Sequence, residues 1–297
     1  MDAFLTGRAF SDLLFGIADG VIISLIALSL VLIWRSTHIL NFAQGAMAMF
    51  AVYLGMGLLS YNVGFWWCVL VSIVAGIVLG GLTERLLVRR LYGAPEINPI
   101  VVMVGLLLLL EAVMGAIWSS SPRGITTPVS STYWQLHGLP LGLSPFTMLE
   151  IIAAIAVALG IGALFKFTKL GLQLRASAVA PEVSRLLGVR VGRMLTLGWM
   201  LSLGVGTVAA LLFSSVNGLT PTQMDGIFVY GFAAAAIGGL ESPTGALVSG
   251  MALGIMQTYM GDYYNSNDIP FATLLLLIIV LMIRPQGVFS KKITRRV

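Results

Sequence analysis

The sequence predicts an all-α, polytopic membrane protein with eight or nine transmembrane or partly re-entrant helices. The chain is 58% hydrophobic and 10% charged, and its mean hydropathy is +0.97. A soluble domain is about 45–50% apolar and about 25% charged. Residues 36–83 contain no Asp, Glu, Lys or Arg, and about 20 apolar residues suffice for one helical crossing. The apolar runs do not alternate with polar residues, which argues against a β-barrel.

Nine apolar segments follow one another along the chain. They cover roughly 12–33, 40–59, 63–82, 100–118, 148–165, 194–214, 226–240, 243–260 and 271–283. The seventh and the ninth are short for a full crossing, so we expect tilted, broken or re-entrant helices there. No basic stretch is followed by a cleavage site, so we expect no cleaved signal peptide. Residues 1–297 are expected to form a single transmembrane domain.

The positions of the basic residues indicate the orientation. Most of the 17 Lys and Arg residues fall in residues 83–99, residues 166–193 and the tail from Arg284. Even numbers of apolar segments separate these three regions, so they share one side of the membrane, and the positive-inside rule makes that side cytoplasmic. The N-terminus is then outside and the C-terminus inside. The pI of about 9.6 therefore reports topology, and we expect no nucleic-acid partner.

The longest predicted outer loop covers about 119–147. Its four prolines prevent a long helix, while Tyr133 and Trp134 suit a membrane interface. The loop is either a lid or docking surface, or a connector with interfacial anchors. His137 in this loop and His38 lie on opposite predicted faces, so a shared metal site is not expected. The chain also lacks a phosphate-binding P-loop motif and paired cysteines.

Polar residues interrupt the second apolar segment near its start. Asn41 and Gly45 are four residues apart, which predicts that they share one helix face, and Gln44 lies beside them. A helix that starts inside the bilayer would offer free backbone N–H groups to a carboxylate. The alternative is a packing motif, in which the amides hydrogen-bond to a neighbouring helix.

A second interruption, residues 238–246, has the sequence GGLESPTGA. Gly238, Gly239 and Glu241 lie here between two short apolar segments. One interpretation is a broken helix pair at membrane depth, of the kind that flanks transport paths. The other is an ordinary turn, with Ser242 as N-cap and Pro243 at the first helical position. The two interpretations are compatible.

Carboxylates also occur within the predicted spans. A charge at the bilayer centre costs at least about 2.5–3.5 kcal/mol, so such groups must face protein or water. Asp19 and Glu111 are therefore candidates either for a transport path or for a packing contact. Glu150 is expected near the membrane interface, and Glu241 as a partner of the local cap.

The basic loop 166–193 contains a predicted short helix. Pro181 and Glu182 suit its first turn, and Gly188 suits the position after its C-terminus. The apolar residues of this helix share one face, at positions 183, 186 and 187. This face either enters a groove on a partner protein or lies back on the chain's own helices.

These motifs together resemble the LivH-type permease of bacterial branched-chain amino acid ABC importers. The resemblance rests on RSTHILNFAQGAMAMFAVY, RASAVAPEVSRLLGV, AAIGGLESPTGALVSGMALGIMQ and IRPQGVF, which occur in the family's order. It implies a multi-pass permease subunit of the bacterial inner membrane and not an enzyme. The implied cargo is a branched-chain or related amino acid, with urea, short amides or other small organic acids as alternatives.

The resemblance also implies partners. These are a LivM-type second permease, two cytoplasmic ATPase subunits that hold ATP and Mg²⁺, a periplasmic substrate-binding protein and the lipid bilayer; the chain itself is expected to bind no cofactor or metal. The expected coupling residues are Ala180, Pro181, Glu182, Val183, Leu186, Leu187 and Gly188. The residues expected along a substrate path are Asp19, Asn41, Gln44, Gly45, Glu111, Gly238, Gly239 and Glu241. An ion-coupled secondary transporter, using Asp19 and Glu111, and a passive channel are the alternative classes.

Overall fold

A computed structural model describes residues 2–95, 97–136, 139–140 and 143–290. The basic tail residues Lys291, Lys292, Arg295 and Arg296, and His137 of the outer loop, lie outside the described residues. The described part is 79% helix, which confirms the all-α prediction. Its helices are α1 (Asp2–Thr37), α2 (Gln44–Met56), α3 (Phe65–Leu86), α4 (Ile97–Trp118), α5 (Pro145–Phe167), α6 (Lys169–Val179), α7 (Pro181–Leu186), α8 (Val191–Asn217), α9 (Met224–Gly238), α10 (Pro243–Tyr263) and α11 (Ile269–Ile283).

Short elements complete the description. Single turns of 3₁₀-helix cover Gly57–Tyr61, Val88–Leu91 and Ser266–Asp268. In the outer loop the two-residue strands Gln135–Leu136 and Leu139–Pro140 pair antiparallel.

Six helices among the described residues are long and apolar enough to cross a membrane. They cover Ala9–Thr37, Phe65–Leu91, Ile97–Trp118, Pro145–Phe167, Val191–Asn217 and Ser266–Ile283. The other three predicted segments correspond to α2 with 13 residues, α9 with 15 residues and α10 with 21 residues. The total of eight or nine crossings therefore stays a prediction.

Helix α1 lies at the centre of the bundle and packs mainly against α10 and α8. Its most apolar stretch is 89% buried. Glycines allow α10 to approach closely: a Cβ on Gly250 would lie 2.5 Å from the Cα of Ser24, and one on Gly254 would contact the backbone of Gly20. Small residues at such contacts let two membrane helices gain van der Waals contact along their backbones.

Helices α4, α5 and α11 lie at the periphery. Only 17%, 11% and 6% of their most apolar stretches are buried within the chain. Such large exposed apolar surfaces are unfavourable in water. The outer faces of α4, α5 and α11 therefore suit contact with lipid or with another membrane subunit.

Contacts between connections show which ends of the helices lie together. Arg89, after α3, bonds to the carbonyl oxygen of Gly192 at the start of α8 (3.0 Å), which joins two of the predicted basic segments. Arg175 of α6 and Glu241 of the α9–α10 turn line one cavity. The α9–α10 turn therefore lies at the same end of the bundle as these two basic segments. At the other end, the backbones of Arg123 and Leu219 pair with each other.

Candidate functional site

Helix α7 begins and ends where the sequence predicts. Pro181 is its first residue and Glu182 lies in its first turn, while Ala180 supplies no side-chain cap. Gly188, directly after the C-cap residue Leu187, has φ +81°. This left-handed conformation favours glycine and ends the helix.

The apolar face of α7 is exposed. Val183 is 55% exposed, Leu186 88% and Leu187 78%. Ser184, beside this face, is 3% exposed and is the residue that α7 turns toward its own chain. The interpretation that the apolar face lies back on the chain's own helices is therefore wrong, and the face is free for a partner.

Helix α6, directly before α7, is an element that sequence reasoning missed. Thr168 precedes it, and the Thr168 hydroxyl accepts a hydrogen bond from the Gly171 N–H (3.0 Å). This threonine was the available signal, since a Thr before a run of helix-forming residues is a typical N-cap. Val179 at the end of α6 is 87% exposed.

A buried ionic cluster holds the end of this loop. The Glu84 carboxylate, 0% exposed, accepts two bonds from Arg89, Nε to Oε1 at 3.2 Å and Nη2 to Oε2 at 2.8 Å. The Thr196 hydroxyl donates to Glu84 Oε2 (2.7 Å) and accepts from Arg89 Nη2 (3.0 Å). The cluster ties α3 to the first turns of α8, directly after α7. Sequence reasoning counted residue 89 only as a positive charge and missed its partner.

Asn41 and Gln44 form a buried amide network, and each is 1% exposed. Asn41 Nδ2 donates to Gln44 Oε1 (3.0 Å), and Asn41 Oδ1 accepts from the Ala43 N–H (3.1 Å). Gln44 Nε2 donates to the hydroxyls of Ser29 (3.1 Å) and Ser202 (3.2 Å). Both amides are thus hydrogen-bonded where α1, α2 and α8 meet. This arrangement matches the alternative of a packing motif, in which the amides bond to a neighbouring helix.

One detail of this prediction is wrong. Asn41 does not share a helix face with Gly45, because the helix begins only at Gln44 and Asn41 has a non-helical backbone that supports its first turn. Gly45 instead faces α9, where an added Cβ would lie 3.2 Å from Met224 Cβ. Ser29, which Gln44 contacts, lies eight residues before the end of α1 at Thr37. At 1.5 Å per residue, this contact is roughly 12 Å inside the end of the helix. Irregular backbone therefore re-enters the bundle, where it is covered by protein.

The second interruption is a capped turn between α9 and α10. The Ser242 hydroxyl accepts from the Gly245 N–H (3.0 Å), and Pro243 is the first residue of α10. The predicted Ser242–Pro243 helix start is confirmed. Gly239, after the end of α9, has φ +102°.

The terminal IRPQGVF segment packs onto this turn. The Val288 N–H donates to the Ile237 carbonyl (2.8 Å), and the Phe289 N–H donates to that of Gly238 (3.2 Å). A Cβ on Gly287 would contact the backbone of Gly239. Two motifs that are nearly 50 residues apart in the chain thus form one structural unit.

The candidate acids do not converge on one site. Asp19 is exposed on α1 and lies near Thr258 of α10. Glu111 of α4 is half-buried against Asp225 in the first turn of α9. The eight predicted path residues therefore occupy four separate places in the fold.

A further acidic position lies beside the outer loop. Glu150 of α5 is 4% exposed, and the Tyr133 ring packs edge-on against Phe15, with 5.0 Å between the ring centroids. Partial burial raises the pKa of the Tyr133 phenol, and the negative charges of Glu150 and Asp19 raise it further. The outer loop therefore places an aromatic side chain near acidic groups at this end of α1 and α5.

Two cavities meet at Glu241. One, of about 360 Å³, lies between α1, α5, α6 and α8 and includes Arg35 and Arg175. The other, of about 380 Å³, lies between α1, α9 and the C-terminal segment and includes Trp34 and Gln286. Within the described ranges, no group of three or more His, Cys, Asp or Glu residues could hold a metal ion.

Comparison with known families identifies a relationship over most of the chain. The family model described as branched-chain amino acid transport system / permease component matches residues 13–284. The probable branched-chain amino acid transport permease protein LivH of Methanocaldococcus jannaschii is 26% identical over 276 residues, 89% of this chain and 87% of the relative.

Two further relatives have similar coverage. The high-affinity branched-chain amino acid transport system permease protein BraD of Pseudomonas aeruginosa is 24% identical over 288 residues, and LivH of Escherichia coli is 22% identical over 291 residues. In both, 93% of this chain and 94% of the relative are covered. Among solved structures, PsaBC from Streptococcus pneumoniae in complex with Fab is similar with a TM-score of 0.49 and 15% identity, over 95% of this chain and 92% of that one.

Proposed function

The chain belongs to the branched-chain amino acid permease family of ABC transporters, and we propose that it forms the permease half of an importer for branched-chain or related amino acids. It is a membrane-embedded transport subunit and not an enzyme. The substrate proposal is supported by the names of relatives that are 22–26% identical. Urea, short amides and other small organic acids are the alternative cargoes.

The exposed apolar face of α7 carries this proposal. The chain has no P-loop motif of its own, so an ATP-driven permease needs a surface through which separate ATPases act. Val183, Leu186 and Leu187 offer such a surface, because three neighbouring aliphatic side chains on a short helix suit a hydrophobic groove. Basic side chains at Arg185 and Arg190 flank it.

The proposed assembly has two related permeases, this chain and a LivM-type partner. Two cytoplasmic ATPase subunits hold ATP and Mg²⁺, and a periplasmic binding protein delivers the substrate. The chain lies in the bacterial inner membrane with its N-terminus outside and its C-terminus inside, as one domain of residues 1–297. Positive charge near α7 and Arg89 supports this orientation.

The proposed mechanism transmits motion from α7 into the helices. ATP binding closes the ATPase dimer, and the groove that holds residues 180–188 moves with it. The Glu84–Arg89–Thr196 cluster couples the start of α8 to α3, so both helices move together. The two permeases then rock between outward and inward openings.

We propose different roles for the predicted path residues. Asn41, Gln44 and Gly45 support the start of α2, and Gly238 and Gly239 support the α9–α10 turn, so we assign them to positioning the helices. Three acids remain our candidates for contact with substrate or the second permease: Asp19 and Glu241, which are exposed, and Glu111, which is half-buried with its Oε1 atom covered. An exposed carboxylate on α1 is costly against lipid, which favours a protein or aqueous neighbour.

The test is the double variant Leu186→Asp/Leu187→Asp, co-expressed with the neighbouring transporter subunits. We expect loss of ATPase co-purification and of ATP-driven amino acid uptake, because two carboxylates cannot enter an apolar groove without desolvation. The matched control is Tyr61→Asp/Tyr264→Asp, which adds the same charge at side chains that are 78% and 83% exposed on the predicted outer face. The control should retain the ATPases.

Normal uptake by a correctly assembled Leu186→Asp/Leu187→Asp complex would sink the coupling proposal. Gradient-driven uptake by the chain reconstituted without partners would favour an ion-coupled transporter. Flux without ATP, partners or an ion gradient would favour a passive channel.

A further inference from the structure

The cavity between α1, α5, α6 and α8 contains two guanidinium groups. Arg35, near the end of α1, and Arg175 of α6 both line it, together with His38 and Glu241. Among the described residues, Arg175 and Glu241 act electrostatically on Arg35. Apart from His38, the ionisable groups of the lining are two arginines and one glutamate.

Both arginines have hydrogen-bonding capacity to spare. The Arg35 guanidinium carbon lies over the Phe165 ring, 5.4 Å from its centroid, and among the described residues Arg35 donates no hydrogen bond, so its N–H groups can serve a ligand. Within the described ranges, Arg175 donates from Nε alone, to the Gly171 carbonyl (3.4 Å). The ion pair found within the described part of the chain joins Arg89 to Glu84, so neither cavity arginine has a carboxylate within 4.0 Å.

The rest of the cavity wall is apolar. Leu32, Phe165, Leu174 and Leu201 supply most of it, and the volume of about 360 Å³ exceeds what a bare inorganic anion fills. A ligand that suits both the two arginines and the apolar wall carries a compact anion at one end and a hydrocarbon chain at the other. Arg35 lies in the last turn of a helix that is long and apolar enough to cross a membrane, and basic side chains at the end of such a helix lie at the depth of lipid headgroups.

We propose that this cavity binds a phosphate-bearing anion, held by Arg35 and Arg175, with the apolar wall receiving the acyl chain of an anionic phospholipid. A phosphate presents oxygens that two guanidinium groups can bind in a bidentate manner. Basic pockets between membrane helices on the cytoplasmic side suit such headgroups. The bound lipid would connect α1 to α6, the helix that precedes α7. This proposal does not depend on which substrate the chain transports.

The first experiment measures lipid retention by the full chain, purified with its co-purifying subunits, by native mass spectrometry. Vesicles of phosphatidylglycerol are compared with vesicles of phosphatidylcholine. The unmodified chain should retain phosphatidylglycerol selectively, and Arg35→Gln/Arg175→Gln should retain at least about tenfold less, since charge-assisted bonds are lost at two positions. The matched control Arg193→Gln removes an exposed charge outside the cavity lining and should retain the lipid.

A second experiment distinguishes the two sources of phosphate. Inorganic phosphate is titrated into delipidated protein, and binding is followed by the ³¹P linewidth, with Ala178→Trp as a variant that fills the cavity and leaves its charge unchanged. If Ala178→Trp abolishes the retention of lipid, the lipid is the ligand that occupies the cavity. Phosphate binding that depends on Arg35 and Arg175, without selective lipid retention, identifies a soluble phosphate.

The thermal midpoint in phosphatidylcholine provides the folding control for every variant. Arg35→Lys/Arg175→Lys keeps both charges but loses the bidentate fork, and should retain an intermediate amount of phosphatidylglycerol. The proposal is overturned if neither probe binds, if folded Arg35→Gln/Arg175→Gln retains the lipid fully, or if Arg193→Gln loses as much.

Discussion

The carboxylate of Glu84 is fully buried and is held by Arg89 five residues later, with Nη2 and Oε2 2.8 Å apart. Arg89 also reaches Gly192 and Thr196 on α8. One guanidinium thus neutralises a charge inside the bundle and fixes the helix that follows the proposed coupling segment. A buried charge without such a partner is strongly unfavourable.

The substitution Arg89→Ala should therefore destabilise the chain. We expect a loss of ~2–3 kcal/mol in the free energy of unfolding, below the full cost of a broken buried pair because Arg89 is partly exposed. Thermal unfolding in detergent measures it. Arg90→Ala, at a neighbouring exposed arginine, is the control and should change little; equal effects of the two variants would contradict a specific role for Arg89.

The substitution Gln44→Leu tests the amide network. It leaves Asn41 and the Ser29 and Ser202 hydroxyls without their shared partner, which should cost about 1–3 kcal/mol. The control Gln223→Leu removes one contact to Thr220 in a connection between helices and should cost less. An unchanged thermal midpoint for Gln44→Leu would mean that the network does not stabilise the start of α2.

The substitution Gly254→Val tests the close contact of α10 with α1. The new side chain meets the backbone of Gly20, which cannot move without separating the two helices, so we expect a several-fold lower yield of folded protein. Gly105→Val on α4 adds the same side chain into open space. Fluorescence-detected size exclusion compares the two, and a comparable loss for Gly105→Val would point to a general effect of valine.

The substitution Gly188→Ala tests the end of α7 and rests on the proposed coupling role. A φ of +81° disfavours alanine by about 1 kcal/mol, which corresponds to about fivefold weaker ATPase association if α7 must keep its shape. Gly162→Ala in α5 has free space around it and is the control. Association should be measured by titration of the ATPase, and undiminished affinity of Gly188→Ala would show that the C-terminal turn of α7 is not needed.

Local chemistry made much of the fold predictable. Long apolar runs predict membrane helices, and the termini of α7 and α10 follow from Pro181, Gly188, Ser242 and Pro243, because proline, glycine and serine restrict or cap the backbone within a few residues. The apolar face of α7 was also readable, since helical spacing alone places residues 183, 186 and 187 together. The sequence did not show whether other helices of the chain cover that face.

The sequence by itself determined the class, the apolar segments, the family motifs and the helix ends, because each depends on neighbouring residues. Only the tertiary structure decided that Glu84 meets Thr196, that Gln44 meets Ser202, that Gly287 meets Gly239, and that Arg35 and Arg175 share a cavity. These contacts join residues that are far apart in the chain. They depend on how the helices pack around α1, and a hydrogen-bonding or charged side chain carries no local sign of which distant group will satisfy it.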